Sequence, residues 1–234
     1  MDEMEVLLRR GLSELGLPET AAAPMARYAQ LLLETNQVIN LTAITDPADV
    51  AALHFLDSAA LLTLTDLKGK TVADVGTGAG FPGLPLKIAE PSIDLTLLDA
   101  QGKRVRFLET VCAQLGLTGV ACVHGRAEEF AADRRESFDI VTSRAVAALP
   151  VLCELCLPLV KVGGCFLAMK SVDSDAELDS AKHALDLLGG QVESLRDYQI
   201  PGTNVYHRLV IIKKFRKTPE KYPRAFAKIK KNPL

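Results

Sequence analysis

Val-Ala-Asp-Val-Gly-Thr-Gly-Ala-Gly-Phe-Pro-Gly-Leu-Pro-Leu, residues 72–86, runs from an apolar segment into four glycines within eight positions, Gly76, Gly78, Gly80 and Gly83. A short apolar run bounded by glycine reads as a strand that stops at a tight turn. Positions without a side chain let a ligand come close to the backbone. The turn therefore marks both an element boundary and a candidate binding edge.

Outward from this turn, apolar runs at 71–75, 94–98, 119–123, 138–142 and 164–169 read as strands. Helical segments at 83–90, 101–115 and 147–161 fall between them, and such alternation predicts a parallel sheet covered by helices. Two later strands are expected at 192–200 and 205–213, with Pro201-Gly202 turning between them. Upstream the pattern is helical. Met4, Leu7, Leu8, Leu12 and Leu15 recur at helical spacing, and a second helix is expected from Pro18 towards Val38, with Pro24 inside it. Asp46-Pro47-Ala48-Asp49 sets a cap, a first-turn proline and an acidic residue before a third helix. The expected organisation is a helical subdomain over 1–65 packed on the core, a doubly wound Rossmann-like α/β domain over 66–215 with a mostly parallel seven-stranded sheet, and a basic tail over 216–234.

With 234 residues, 48% hydrophobic and 24% charged, the chain can bury one large core. The N-terminus is acidic where a secretory signal would be basic, and no apolar run approaches the roughly 18 residues of a membrane helix. A cytoplasmic protein with no membrane partner is expected. Five cysteines, an odd number, argue against a disulfide framework. Cys153 and Cys156 form a C-x-x-C without a second pair at ligand spacing, so core thiols and no metal are expected. The net charge is −2, but Lys213 to Leu234 holds nine Lys or Arg against the single Glu220. Phe215, Tyr222 and Phe226 are interleaved with these cations, which suits phosphate contact and base stacking. Deleting 217–234 is then expected to weaken nucleic-acid binding and to spare a pocket at the glycine turn.

The dinucleotide template G-x-G-x-x-G fits poorly: one register ends on Phe81, and the other begins two residues late. Asp74 would oppose a pyrophosphate, yet it would favour a ligand that carries an ammonium. S-adenosylmethionine is such a ligand, with a sulfonium, an ammonium and two ribose hydroxyls. Asp99, ending the second strand, is positioned for those hydroxyls, although NAD would use it equally. The loop from His124 to Phe130 lies where adenine would be reached. Arg144, after the fourth strand, faces the transferred group, as partner of the donor's carboxylate or as a positioning residue. His54 and Asp57 share a helix face and can touch donor or RNA, or pair with each other.

Several further stretches carry a family resemblance: Asn-Leu-Thr-Ala-Ile-Thr-Asp-Pro (40–47), His-Phe-Leu-Asp-Ser (54–58), Asp-Val-Gly-Thr-Gly-Ala-Gly-Phe-Pro-Gly (74–83), Gly-Lys-Arg-Val-Arg-Phe-Leu (102–108), Arg-Ala-Glu (126–128) and Ser-Arg-Ala (143–145). Together they resemble the bacterial small-subunit rRNA guanine-N7 methyltransferase family, also called glucose-inhibited division protein B. The resemblance implies a class I methyltransferase fold, S-adenosylmethionine as donor, and N7 of a guanine in the decoding-region loop of 16S rRNA as acceptor, free or in the 30S subunit. By position it adds Gly76, Phe81, Ala127, Glu128 and Arg144 to a donor site that already includes Asp74, Gly78, Gly80 and Asp99. Lys103, Arg104, Lys170, Lys221, Arg224 and Lys228 are the RNA-contact candidates, and a monomer is expected. The chain lacks the Asn/Asp-Pro-Pro-aromatic motif of exocyclic-amine methylation and the Pro-Cys of pyrimidine methylation. Guanine N7 needs neither, because its in-plane lone pair is unprotonated at neutral pH. A noncatalytic RNA-binding protein and an NAD-dependent dehydrogenase are the competing functions.

Overall fold

Seven strands form one sheet in the order β3-β2-β1-β4-β5-β7-β6 in a computed structural model that describes residues 3–234. They are β1 (Thr71–Val75), β2 (Asp94–Asp99), β3 (Val120–His124), β4 (Phe138–Arg144), β5 (Val160–Ser171), β6 (Gly190–Gln199) and β7 (Tyr206–Lys214). The first five are parallel, and β7 runs antiparallel between β5 and β6. Central β1 is buried from Val72 to Val75, as a strand covered on both faces must be. The parallel arrangement brings the carboxyl ends of β1, β2, β4 and β5 to one edge, where Asp99, Arg144 and Lys170 lie.

Side-chain alternation divides the core. Val72, Leu95, Leu97, Ile140, Leu167 and Leu209 face α1 (Glu3–Glu14), α2 (Ala22–Asn36), α3 (Pro47–Leu64), α4 (Gly83–Ala89) and α5 (Gly102–Leu115). Ala73, Val75, Val141, Phe166, Ala168 and Val210 face the other layer, which contains α6 (Ala127–Asp133), α7 (Leu149–Cys156), α8 (Asp175–Leu188) and α9 (Phe226–Lys231). In α1 the buried residues are Met4, Leu8, Gly11 and Leu12, the stripe expected from their spacing. Pro24 sits in the first turn of α2, where a missing N–H costs no intrahelical bond. Asp46 caps α3: its carboxylate accepts the N–H groups of Ala48 (3.0 Å) and Asp49 (3.2 Å).

Helix α3 departs from expectation in two ways. Its 18 residues are long and apolar enough, by length and composition, to cross a membrane, but over half of them are buried in the fold and Asp57 and Ser58 are fully enclosed. Its apolar side is therefore a core face. Val50–Leu56 is also wound as a π-helix, a local rearrangement common at functional sites. Helix α8 was not expected at all, because its buried stripe is made of Ala181, Ala184, Leu185 and Leu188. Alanine contributes little to an apolar pattern, although its spacing is helical.

The C-terminal segment is not a solvated tail. Tyr222 and Ile229 are buried, and the Arg135 guanidinium donates to the carbonyls of Thr218 (2.6 Å), Pro219 (2.9 Å) and Tyr222 (2.7 Å). Two of its cations have internal roles. Lys214 has no exposed surface and donates to the carbonyl of Leu157 at 2.7 Å, and burial lowers its ammonium pKa to about 8. Arg224 clamps the enclosed carboxylate of Glu154 through Nε (2.8 Å) and Nη2 (2.6 Å), which gives this expected RNA-contact residue a structural role. Cys153 and Cys156 are both fully buried in α7, and burial pushes their thiols upward towards the neutral form.

Removing Arg224 would strand the Glu154 carboxylate in the core. Arg224→Ala is expected to lower the unfolding free energy by about 2–4 kcal/mol, the upper end reduced because Arg224 is partly exposed. Urea titration checks this; a loss within about 0.5 kcal/mol, the usual range for a surface change, would mean that Glu154 is held by something else.

Candidate active site

The four glycines of the turn do different things. A Cβ at Gly80 would overlap the Tyr28 hydroxyl and lie 2.8 Å from Leu84 and 2.9 Å from Leu108, so this glycine admits α2 rather than a ligand. Tyr28 completes the contact by donating to the Ala79 carbonyl. A Cβ at Gly83 would come within 2.5 Å of Leu97 and 2.9 Å of Asp74. Gly78 alone of the four is open, with nothing nearer than the Gly76 carbonyl at 4.0 Å, and its φ of 63° is one that favours glycine. Gly76 lies under Val146, whose Cγ2 would be 2.6 Å from an added Cβ.

Asp74 does not face the edge. The two-residue period of β1 puts it on the face of Val72, beneath α4, where it has no exposed surface. Its Oδ2 accepts the Thr77 hydroxyl (2.7 Å) and the Gly83 N–H (2.8 Å), tying the two ends of the turn together. Oδ1 has no partner. Burial raises the carboxyl pKa to about 6, against the pull of those two hydrogen bonds. The direct ammonium contact expected of Asp74 is thus replaced by a role in shaping the turn.

Two cavities open along the carboxyl edge. The first, about 190 Å³, is lined by Gly76, Asp99, Ala127, Glu128, Leu155 and Phe226 among others. Asp99 is held by the Gly78 N–H (2.9 Å) and the Gln101 N–H (2.8 Å), with Arg104 at 3.5 Å. Asp99 and Glu128 beside apolar walls, with Arg126 also in the lining, suit a nucleoside with free hydroxyls. Phe226 was not foreseen here, because among lysines it reads as a base-stacking residue. In the fold it packs in the apolar layer, with the Arg126 guanidinium 5.7 Å above its ring. This overturns the expectation that deleting 217–234 spares the pocket at the glycine turn.

The second cavity, about 520 Å³, includes His54, Asp57, Arg144, Lys170, Glu177 and His207 in its wall. Arg144 donates through Nη1 to Asp57 (2.9 Å) and to the Leu53 carbonyl (2.9 Å), and Nη2 lies 3.2 Å from His54 Nδ1. Asp57 also receives the Tyr198 hydroxyl (2.7 Å) and His207 Nδ1 (2.9 Å). Burial raises the Asp57 pKa, but the His207 hydrogen bond and the Arg144 charge outweigh it, so the carboxyl stays below its ordinary value. Phe81 serves this side rather than the first cavity. It stacks on His54 (4.7 Å) and Tyr28 (5.4 Å) and carries Arg144 over its ring at 5.2 Å. Tyr198 and His207 were missed because they come from late antiparallel strands with no motif around them.

Between the cavities stands the end of β4. Ala145 is left-handed (φ 55°), a costly conformation for a residue with a Cβ, and it leads Val146 onto Gly76. Lys170 pairs with Glu177 at 2.7 Å. Lys103, Lys221 and Lys228 are exposed.

His54 is held neutral. Arg144 can only donate, so Nδ1 accepts and the ring proton goes from Nε2 to Thr42 Oγ1 at 2.7 Å. Burial, and then the Arg144 charge, lower its pKa to about 4 from 6.5. The folded protein binds this proton less readily than the unfolded chain, so the contribution is full above pH 6.5 and is lost as pH falls towards 4. Between pH 7 and pH 5 the wild type is expected to lose about 1–2 kcal/mol more stability than His54→Gln, discounted for partial exposure. Asp74 contributes with the opposite sign to both proteins and cancels in the comparison. Equal losses in urea titrations would mean that His54 is protonated freely.

A model of the family described as rRNA small subunit methyltransferase G (GidB) matches residues 21–206. Ribosomal RNA small subunit methyltransferase G of Acetivibrio thermocellus is 45% identical over 100% of both chains, and that of Alkaliphilus oremlandii is 47% identical over 99% of both. Among solved structures, TrmN from Thermus thermophilus aligns at a TM-score of 0.54 and 22% identity over 68% of this chain and 48% of that one. M. jannaschii TYW2, solved with AdoMet, aligns at 0.53 and 12% identity over 65% and 72%. These two likenesses bear on the fold, a class I methyltransferase sheet. The near-complete match to the relatives decides the family: this chain belongs to the rRNA small subunit methyltransferase G family and is an S-adenosylmethionine-dependent methyltransferase.

Proposed function

We propose that the chain methylates N7 of a guanine in the decoding-region loop of 16S rRNA, with the donor in the first cavity and the base in the second. The observation that carries this reading is the engagement of the groups around Arg144. Asp57 accepts from three side chains and both nitrogens of His54 are occupied, so both are held in place as supports of Arg144 rather than poised to remove a proton. Methylation of N7 is a reaction that needs no base. When bound, S-adenosylmethionine supplies a methyl group on a positively charged sulfur, which passes to the N7 lone pair as the sulfur keeps the bonding electrons, and no proton is released.

The residues divide the work accordingly. Asp99 accepts from ribose hydroxyls with the lone pairs left by its two backbone partners, while the open Gly78 lets the donor lie against the turn and Gly76, beneath Val146, lines the cavity. Ala127, Glu128 and Phe226 enclose the adenosine end. Asp74 and Gly80 act indirectly, by shaping the turn and admitting α2, and Phe81 supports Arg144 from below. Arg144 holds the edge between the cavities and orients the two reactants, the contribution that proximity makes in place of acid or base catalysis. Lys103, Lys221 and Lys228, joined by exposed Lys217, Lys230 and Lys231, attract phosphates. One chain carries both cavities, which supports a monomer as the catalytic unit, and an rRNA acceptor puts the reaction in the cytoplasm.

Methyl transfer from labelled donor to 30S subunits lacking the modification, followed by mapping of the labelled base, tests this reading. Label at N7 of a decoding-loop guanine is expected; label on another base or on an exocyclic amine would overturn it. Naked 16S rRNA, run in parallel, distinguishes the two forms of the acceptor. For the donor cavity, Phe226→Ala is expected to weaken S-adenosylmethionine binding about tenfold by calorimetry, the loss of one aromatic wall. Deleting 217–234 should weaken it further. Unchanged affinity in folded Phe226→Ala would remove this ring from the donor site.

A further inference from the structure

We propose that Lys170 and Glu177 form a reader of the Watson–Crick edge of the acceptor base and so select guanine. The inference rests on the second cavity being the acceptor site. Lys170 ends β5 and Glu177 lies in the first turn of α8, and both stand in the wall of that cavity. The Lys170 ammonium donates to the Ala147 carbonyl (2.8 Å) and to Glu177 Oε2 (2.7 Å), which leaves its third N–H free. Glu177 Oε2 also accepts the Leu149 N–H (2.8 Å). Its Oε1 has no partner among the described residues, and the side chain is 39% exposed.

The pair thus presents one free donor beside one free anionic acceptor. Guanine is the only standard base whose Watson–Crick edge carries an acceptor, O6, followed by two donors, N1–H and N2–H. Lys170 matches O6, and Glu177 Oε1 matches the donors. Adenine shows the reverse order, with an amine facing the ammonium and the N1 lone pair facing the carboxylate. Gripping guanine by this edge also leaves N7 uncovered, whereas an arginine fork on O6 and N7 would block the reacting atom. Arg144 spends both Nη1 hydrogens on Asp57 and the Leu53 carbonyl and is held in place by them, whereas Lys170 and Glu177 together offer a donor and an acceptor side by side.

A purely structural role is the alternative, since Glu177 also anchors Leu149. Glu177→Gln separates the two, because its amide oxygen still accepts from Leu149 and Lys170 while an NH2 replaces Oε1. The assay uses 30S subunits reconstituted with 16S rRNA carrying guanosine or inosine at the mapped target; inosine lacks the N2 amine. For the wild type, inosine should lower kcat/KM about 10- to 100-fold, the range for hydrogen bonds to a charged group. Glu177→Gln should lose a similar factor on guanosine, keep its donor affinity, and show an inosine penalty below about threefold. Lys170→Met, which retains the carboxylate, should lose activity yet keep the penalty. A wild-type penalty that persists in Glu177→Gln, or full activity of that variant on guanosine, overturns the proposal while leaving guanine N7 methylation intact. Wild-type label on a base other than guanine overturns both.

Discussion

The Asp57 carboxylate has no exposed surface and would cost several kcal/mol if left unpaired, so the fold around it is constrained to bring donors to it. They come from three separate places: Arg144 at the end of β4, Tyr198 on β6, and His207 at the start of β7. Since Asp57 itself lies in α3, this one group fastens the N-terminal helices to both the parallel and the antiparallel parts of the sheet. Arg144 is oriented as a consequence, with Phe81 beneath its guanidinium and His54 at its side. The second cavity exists in its present shape only when these pieces are docked.

A second enclosed carboxylate does the same for the other end of the chain. Glu154 in α7 holds Arg224, and Arg135 holds three carbonyls of the returning segment, so Phe226 is brought to the wall of the first cavity. The Rossmann-like sheet supplies the edge common to both cavities, but each is completed by a segment outside it. The N-terminal helices furnish His54 and Asp57 on one side, and the C-terminal segment furnishes Phe226 on the other. Both additions are locked by buried ion pairs, which tolerate loss of a partner far less well than surface pairs.

How much of this was legible follows from what kind of signal each feature leaves. The strands were readable because apolar runs bounded by glycine or polar residues have few alternatives, and the Asp46 cap because its chemistry is local. Asp99 and Ala127 were found near one cavity because they end or follow strands at the edge. The glycine turn was misleading in detail: Gly80 answers to Tyr28, and Gly83 to Leu97 and Asp74, contacts made across the fold that leave no local mark. The place of Asp74 in the sequence suits a ligand contact, while the face it occupies is set by the strand period counted from Val72. Phe226, Tyr198, His207 and Glu177 depend on long-range docking, and α8 was hidden by an apolar stripe half made of alanine.

The charges of the C-terminal segment show the same division between composition and use. Counted along the sequence they make a strongly basic tail, yet Lys214 is buried on internal carbonyls and Arg224 is paired with Glu154, so neither is a freely solvated charge. Salt dependence of RNA binding should follow the cations that remain exposed, because only those displace counterions on contact. A corresponding economy governs the titratable groups at the edge. A site that removed a proton would need Asp57 or His54 free and poised near neutrality. Here Asp57 accepts from three side chains and His54 is bonded at both nitrogens, with His54 lowered to about 4 and Asp57 held ionised, and they work as fixed supports of Arg144. Such rigidity suits a transfer whose barrier is lowered by alignment, in which the groups around the base need only stay where they are.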